Sequence, residues 1–265
     1  MQERGETVYR PGIVALGILA LVLTLVWAGG FVLAVYDVVS ARPPAAQPAR
    51  PPSVVEPGSD TAIRLVGLGD SLTRGAGDSE GLGYLGRLRQ RVAEARKKPV
   101  YVHNLAVNGY RSDQLLSRLQ KEPAFRQTIA RADLITLSIG GNDLRVAAQE
   151  TGVDLAHARR VFDESLARVV RIVTELRAIN PRAPIVYVGL YNPYATWPEG
   201  EAITALLERW NAEVAARTAH MPNVAVVPLV DLFQFHLDEY LAADRFHPNG
   251  AGYAAIAERI WQVVR

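Results

Sequence analysis

The hydrophobic pattern changes period several times along the chain. It opens with the longest apolar run, "GIVALGILALVLTLVWAGGFVLAVY" at 12–36, which holds 25 residues without a charge. That exceeds the roughly 20 residues needed to cross a hydrocarbon core as a helix, and no polar face interrupts it. The pattern predicts a transmembrane anchor at 12–36 behind a short N-terminal segment, 1–11. A cleaved signal peptide is the alternative, with "VSA" at 39–41 as its cleavage site; its apolar region would be about 7–15 residues, so the length favours a retained anchor. Arg4 and Arg10 precede the run and Arg42 and Arg50 follow it. Arg10 and the terminal amine tip this balance weakly toward an inside N-terminus, with the rest of the chain outside the cytoplasm. Residues 37–60 then turn rich in Pro and Ala and read as a semi-extended linker.

From Thr61 to Arg265 short apolar runs alternate with longer amphipathic ones. "IRLVGLG" (63–69), "VYVHNLA" (100–106), "DLITLSIG" (133–140), "PIVYVGL" (184–190) and "VAVVPL" (224–229) read as strands, most of them continuously apolar as buried parallel strands are. Residues 83–98, 112–120, 158–179, 201–219 and 251–264 space their apolar positions three and four apart and read as helices. The alternation predicts an α/β domain at 61–265: an open five-stranded parallel sheet with helices on both faces. Ligands in such sheets sit at the carboxyl ends of the strands.

Composition narrows the classes. The 265 residues are 49% hydrophobic, and 29 Lys+Arg against 27 Asp+Glu leave a net charge of +2. The basic residues are dispersed, which argues against nucleic acid as a partner. The chain has no cysteine, which removes disulfides, thiol nucleophiles and thiolate metal sites. Of the five histidines, His103, His157, His220 and His236 have no partner at metal-ligand spacing, and no metal is expected.

The chemistry-bearing residues gather where the strands end. Gly69-Asp70-Ser71 follows the first strand, "AVNGYRS" with Gly109 the second, Gly140-Gly141-Asn142-Asp143 the third, and "DRFHPNG" with Asp244 and His247 stands near the C-terminus. Each alone reads equally well as a turn or a helix cap; all four belong to one edge of the sheet. "GDSL" at 69–72, the glycine of "AVNGYRS", "GGND" at 140–143 and "DRFHP" at 244–248 together resemble the four blocks of the SGNH, or GDSL, hydrolases, in order and in spacing. The longer run "GDSLTRGAGD" is similar to bacterial lipase and lysophospholipase-type members. The resemblance covers 61–265 and implies a flavodoxin-like three-layer sandwich and a serine esterase that uses no cofactor. It also implies an oxyanion hole made by the backbone amides of Ser71 and Gly109 and the side chain of Asn142.

The residues support the same chemistry. A serine hydroxyl attacks a carbonyl only when a base takes its proton, and His247, with Asp244 three residues before it, is placed to be that base and its orienting carboxylate. "GDSL" lacks the G-x-S-x-G elbow of α/β-hydrolases. Asp70 and Asp143 are expected to hold the Ser71 and Asn142 loops by accepting backbone N–H bonds. Arg74, Arg111, Arg145 and Arg245 each lie one to three residues beyond a catalytic position, and are expected either to ring the mouth and bind an anionic head group or to point into solvent. Tyr191, Tyr194 and Trp197 in "YNPYATW" are expected to wall an acyl chain. The expected substrate is a lipid or lysophospholipid ester; the alternatives are an O-acetyl ester on cell-envelope carbohydrate and, from another class, an anchored non-catalytic domain that binds glycan or lipid.

Overall fold

A computed structural model describes residues 62–145 and 155–265; the anchor at 12–36 and the linker at 37–60 lie outside the described residues. The five expected strands form one sheet, β1 (Ile63–Gly69), β2 (Val100–Asn104), β3 (Leu134–Ser138), β4 (Ile185–Val188) and β5 (Val224–Val227), ordered β2-β1-β3-β4-β5. All four pairings are parallel. The order reverses between β1 and β3, and a crevice opens there at the carboxyl ends. Register places Gly69 beside Ser138 at that point.

The period-2 alternation of the strands divides the core in two. Val66 and Leu68 of β1, Ile135 and Leu137 of β3, and Ile185 and Tyr187 of β4 face one helical layer. It comprises α3 (Ser112–Lys121), α4 (Pro123–Ala130), α5 (Leu155–Ile179) and α6 (Gly200–Thr218). Leu65, Leu134, Val186 and Val188 face the other way. There they meet α2 (Gly83–Arg96), α7 (Val230–Gln234), α8 (Leu237–Tyr240) and α9 (Gly250–Val264). The result is a helix–sheet–helix sandwich. Among the described residues no helix is long and apolar enough to cross a membrane.

Two differences from the sequence expectation bear on function. The ladders of β2, β3, β4 and β5 stop two residues short of their apolar runs. Beyond β3 and β4 the runs continue because Ile139, Gly189 and Leu190 are buried past the ends of the ladders, and Gly189 still donates its amide to the Val227 carbonyl of β5 at 2.8 Å. Short helices also arise inside expected loops, among them α1 (Ser71–Arg74), α4, α7 and α8. The apolar pattern misses them because each buries only one or two apolar side chains, too few to establish a period.

Candidate active site

β1 ends in a sharp turn. Gly69 has φ +121°, and a Cβ there would lie 1.7 Å from the Ser138 carbonyl oxygen, so only glycine lets β1 run this close to β3. Asp70 follows as the N-cap of α1, its Oδ1 accepting from the Leu72 amide at 3.1 Å, and Gly75, in the left-handed region at φ +92°, ends that single turn. Ser71 is therefore the first residue of a one-turn helix, raised at the edge of the sheet.

Asp70 is anchored from below by a chain of buried hydroxyls. Its Oδ1 accepts from Ser138 Oγ at 2.6 Å, and Ser138 Oγ lies 2.7 Å from Thr73 Oγ1 and accepts from the Thr73 amide at 3.1 Å. Thr73 Oγ1 is 2.6 Å from the Tyr84 hydroxyl, which donates to Thr136 Oγ1 at 3.1 Å. Burial pushes the Asp70 carboxyl up to about 6, against the lowering effect of its Ser138 and Leu72 hydrogen bonds. Ser138, Thr73 and Tyr84 were not legible as site residues, although Ser138 is a polar residue inside an otherwise apolar strand run.

The C-terminal block closes over Ser71 from α8. The Ala242 amide donates to the His247 carbonyl at 2.8 Å, and Leu241 pairs with Pro248, forming a tight loop. Inside it Asp244 Oδ1 accepts from the backbone amides of Phe246 and His247 at 3.0 and 2.9 Å, while Asp244 Oδ2 meets His247 Nδ1 at 2.6 Å. A carboxylate can only accept, so the ring proton sits on Nδ1 and donates to Asp244. Nε2 is left to accept from Ser71 Oγ, 2.9 Å away. The Asp244 carboxyl is held below its ordinary range: burial works to raise it, but the His247 ring and the two amides outweigh that. Serine, histidine and aspartate thus form one continuous hydrogen-bonded line.

Asn142 faces the same crevice. Its Nδ2 donates to the Tyr110 carbonyl at 3.0 Å, joining the loop after β3 to the loop after β2. Gly109, one residue earlier, is exposed with φ +78° and has open space where a Cβ would project. Below them Asp143 is buried and accepts from the Ser112 amide at 2.9 Å and from Ser112 Oγ at 2.6 Å. Arg168 on α5 completes the cluster, donating to Ser112 Oγ and Ser165 Oγ at 2.9 Å each and lying 3.5 Å from Asp143. Nothing in the sequence pattern of α5 singles out Arg168.

Ser71, Asn142 and His247 open onto a cavity of about 420 Å³. Its walls are chiefly apolar: Leu72, Leu144, Leu190, Ile203, Leu206 and Leu207 with Tyr191, Tyr194, Trp197 and Phe246. Tyr191 donates to the Phe246 carbonyl at 2.6 Å and stacks on Phe233, while Tyr194 and Trp197 lie 4.6 Å apart, centroid to centroid. The three aromatics expected near an acyl chain all reach this wall. Gly109 is not among its lining residues.

The four arginines do not ring one mouth. Arg145 lines the cavity; Arg245 lines only a smaller hollow beside it, which Arg145 shares; Arg74 and Arg111 line neither. Arg111 pairs with Asp113 at the start of α3, Arg245 pairs with Asp238, and Arg74 is exposed on α1. Proximity in sequence to a catalytic position does not fix where a long side chain points. Among the described residues no group of His, Asp or Glu could hold a metal ion.

Comparison with known proteins agrees with this geometry. Residues 68–255 match the GDSL-like lipase/acylhydrolase family. The chain is 34% identical over 212 residues to the Bacillus subtilis (strain 168) protein YpmR, covering 77% of this chain and 82% of that protein. It is 27% identical over 210 residues to the spore germination lipase LipC of Bacillus licheniformis, covering 75% and 94%. Among solved structures, the lipase Lip_vut3 from a goat rumen metagenome superposes with a TM-score of 0.69 at 25% identity, over 76% of this chain and 97% of that one. An ester-hydrolase fold, a hydroxyl–imidazole–carboxylate line at its strand ends and a family match across most of the domain lead to one conclusion: the chain belongs to the GDSL-like lipase/acylhydrolase family and is a carboxylic ester hydrolase.

Proposed function

We propose that the protein is a membrane-anchored serine esterase that hydrolyses lipid esters, single-chain ones first, through an acyl-Ser71 intermediate. The observation that carries this reading is the apolar cavity beside Ser71. If each heavy atom takes about the 30 Å³ share of a liquid water, the three of an acetyl group fill roughly a fifth of its 420 Å³. The remainder suits an alkyl chain, and each buried methylene stabilises binding by about 0.8 kcal/mol. The likeness to a spore germination lipase supports the same substrate class, and the uncharged run at 12–36 supports the anchor.

In this mechanism His247 Nε2 takes the Ser71 proton as Oγ attacks the ester carbonyl, and Asp244 stabilises the imidazolium that forms. The Ser71 and Gly109 amides and the free N–H of Asn142 Nδ2 receive the oxyanion. His247 then returns its proton to the departing alcohol, and a water, deprotonated by His247, releases the acid from Ser71 by the same steps.

The test is hydrolysis of p-nitrophenyl esters of graded chain length by the full protein and by Ser71→Ala, His247→Ala and the double variant. Turnover is expected to rise from acetyl to medium chains. Either single substitution should remove most of it, and the double should cost little more, because the groups act as a unit. A steep preference for acetyl, with activity on acetylated glycan, would replace this reading with the O-acetyl esterase. Fluorophosphonate labelling that persists in Ser71→Ala would remove Ser71 as nucleophile.

A further inference from the structure

The hollow beside the acyl cavity differs from it in character. It measures about 250 Å³ and is lined by Arg145, Thr196, Asp244 and Arg245, with Tyr194, Trp197 and Phe246 on the side it shares with the cavity. Two arginines therefore line one small space. Arg145 makes no ion pair among the described residues; burial raises the pKa of the neighbouring Tyr194 hydroxyl, and the Arg145 charge works against that rise. Arg245 is held in the left-handed backbone region at φ +56° by the tight loop that carries His247. Its one carboxylate partner among the described residues, Asp238, is 91% exposed, and an exposed pair of this kind exchanges readily with another anion. The remaining acid, Asp244, is already engaged by His247.

The position matters as much as the charge. His247 must protonate the alcohol oxygen as the acyl–oxygen bond breaks, so the alcohol portion of an ester has to lie on the His247 side of Ser71. Asp244, Arg245 and Phe246, which precede His247 in its loop, line the hollow on that side. We infer that this hollow is an anion subsite in which Arg145 and Arg245 grip a phosphate on the alcohol portion of the substrate while the acyl chain occupies the neighbouring apolar cavity. The inference rests on the esterase reading above and narrows its substrate to phosphate-bearing single-chain esters. Guanidinium forks match phosphate oxygens two at a time, and Thr196 adds a hydroxyl donor.

The experiment compares two soluble substrates with one acyl chain, 1-octanoylglycerol 3-phosphate and 1-octanoylglycerol, using the full-length protein. The readout is the ratio of their kcat/KM values. Arg145→Ala and Arg245→Ala should each lower that ratio about ten- to a hundredfold, the range for losing a hydrogen bond to a charged group, chiefly through KM for the phosphate ester. Lysine at either position should restore part of it. Arg131→Ala, at an exposed arginine at the end of α4, should leave the ratio unchanged. Parallel losses on both esters, or a wild-type protein that does not favour the phosphate ester, would overturn the subsite and leave the esterase reading standing. Failure to hydrolyse either ester would overturn both.

Discussion

At the scale of single residues, the site combines one carboxylate that folding favours charged and one that it favours neutral. Asp244 is held low by its imidazole and amide partners, so its contribution to stability is present above its unfolded pKa and is lost as the pH falls through its folded pKa. Asp70 has the opposite sign. Its folded pKa, about 6, lies above the ordinary 3.8, so the fold prefers the protonated acid, and that preference is lost as the pH rises through about 6. Asp70→Asn, which cannot ionise, should therefore gain stability relative to wild type between about pH 4 and pH 8. The gain should be on the order of 3 kcal/mol, from a shift of about two units. Urea unfolding of both proteins at the two pH values measures it, and a stability difference that does not change with pH would mean that Asp70 is not desolvated.

Among the elements, the apolar cavity depends on how the segment after β4 is fastened. Asn192 is buried; its Nδ2 donates to the Gly200 carbonyl and Thr204 Oγ1 at 2.9 Å each, and its Oδ1 accepts from the Tyr194 amide at 2.8 Å. One side chain thus ties the Tyr194–Trp197 wall to the start of α6. Asn192→Ala leaves buried polar groups unsatisfied and should cost about 1–3 kcal/mol of stability. It should also raise KM for medium-chain p-nitrophenyl esters several-fold more than for the acetyl ester, since only the longer chain reaches the wall. A uniform change across chain lengths would show that the wall keeps its shape without this clamp.

For the whole molecule, the proposed anchor at 12–36 implies that the active domain works at a membrane surface on a linker of about 20 residues. Deleting residues 1–36 should move the protein from the membrane to the soluble fraction without altering turnover of a water-soluble p-nitrophenyl ester. Retention of the deleted chain on membranes would shift the anchoring function to the domain itself. The five strands in order, the parallel α/β class, and Ser71, Asn142, Asp244 and His247 as the residues to examine were all legible in the amino-acid order. Apolar runs and glycine-bounded loops are local signals, and burial on both faces leaves its mark on each strand separately. The hydrogen-bonded line from Asp244 through His247 to Ser71 required tertiary structure, because His247 and Ser71 lie 176 positions apart. So did the hydroxyl chain under Asp70, the Arg168–Asp143–Ser112 cluster, and the choice of Arg145 and Arg245 over Arg74 and Arg111 as the arginines beside the site. Each depends on which long or polar side chains meet once distant segments have packed, and the identity of a residue records its reach but not its direction.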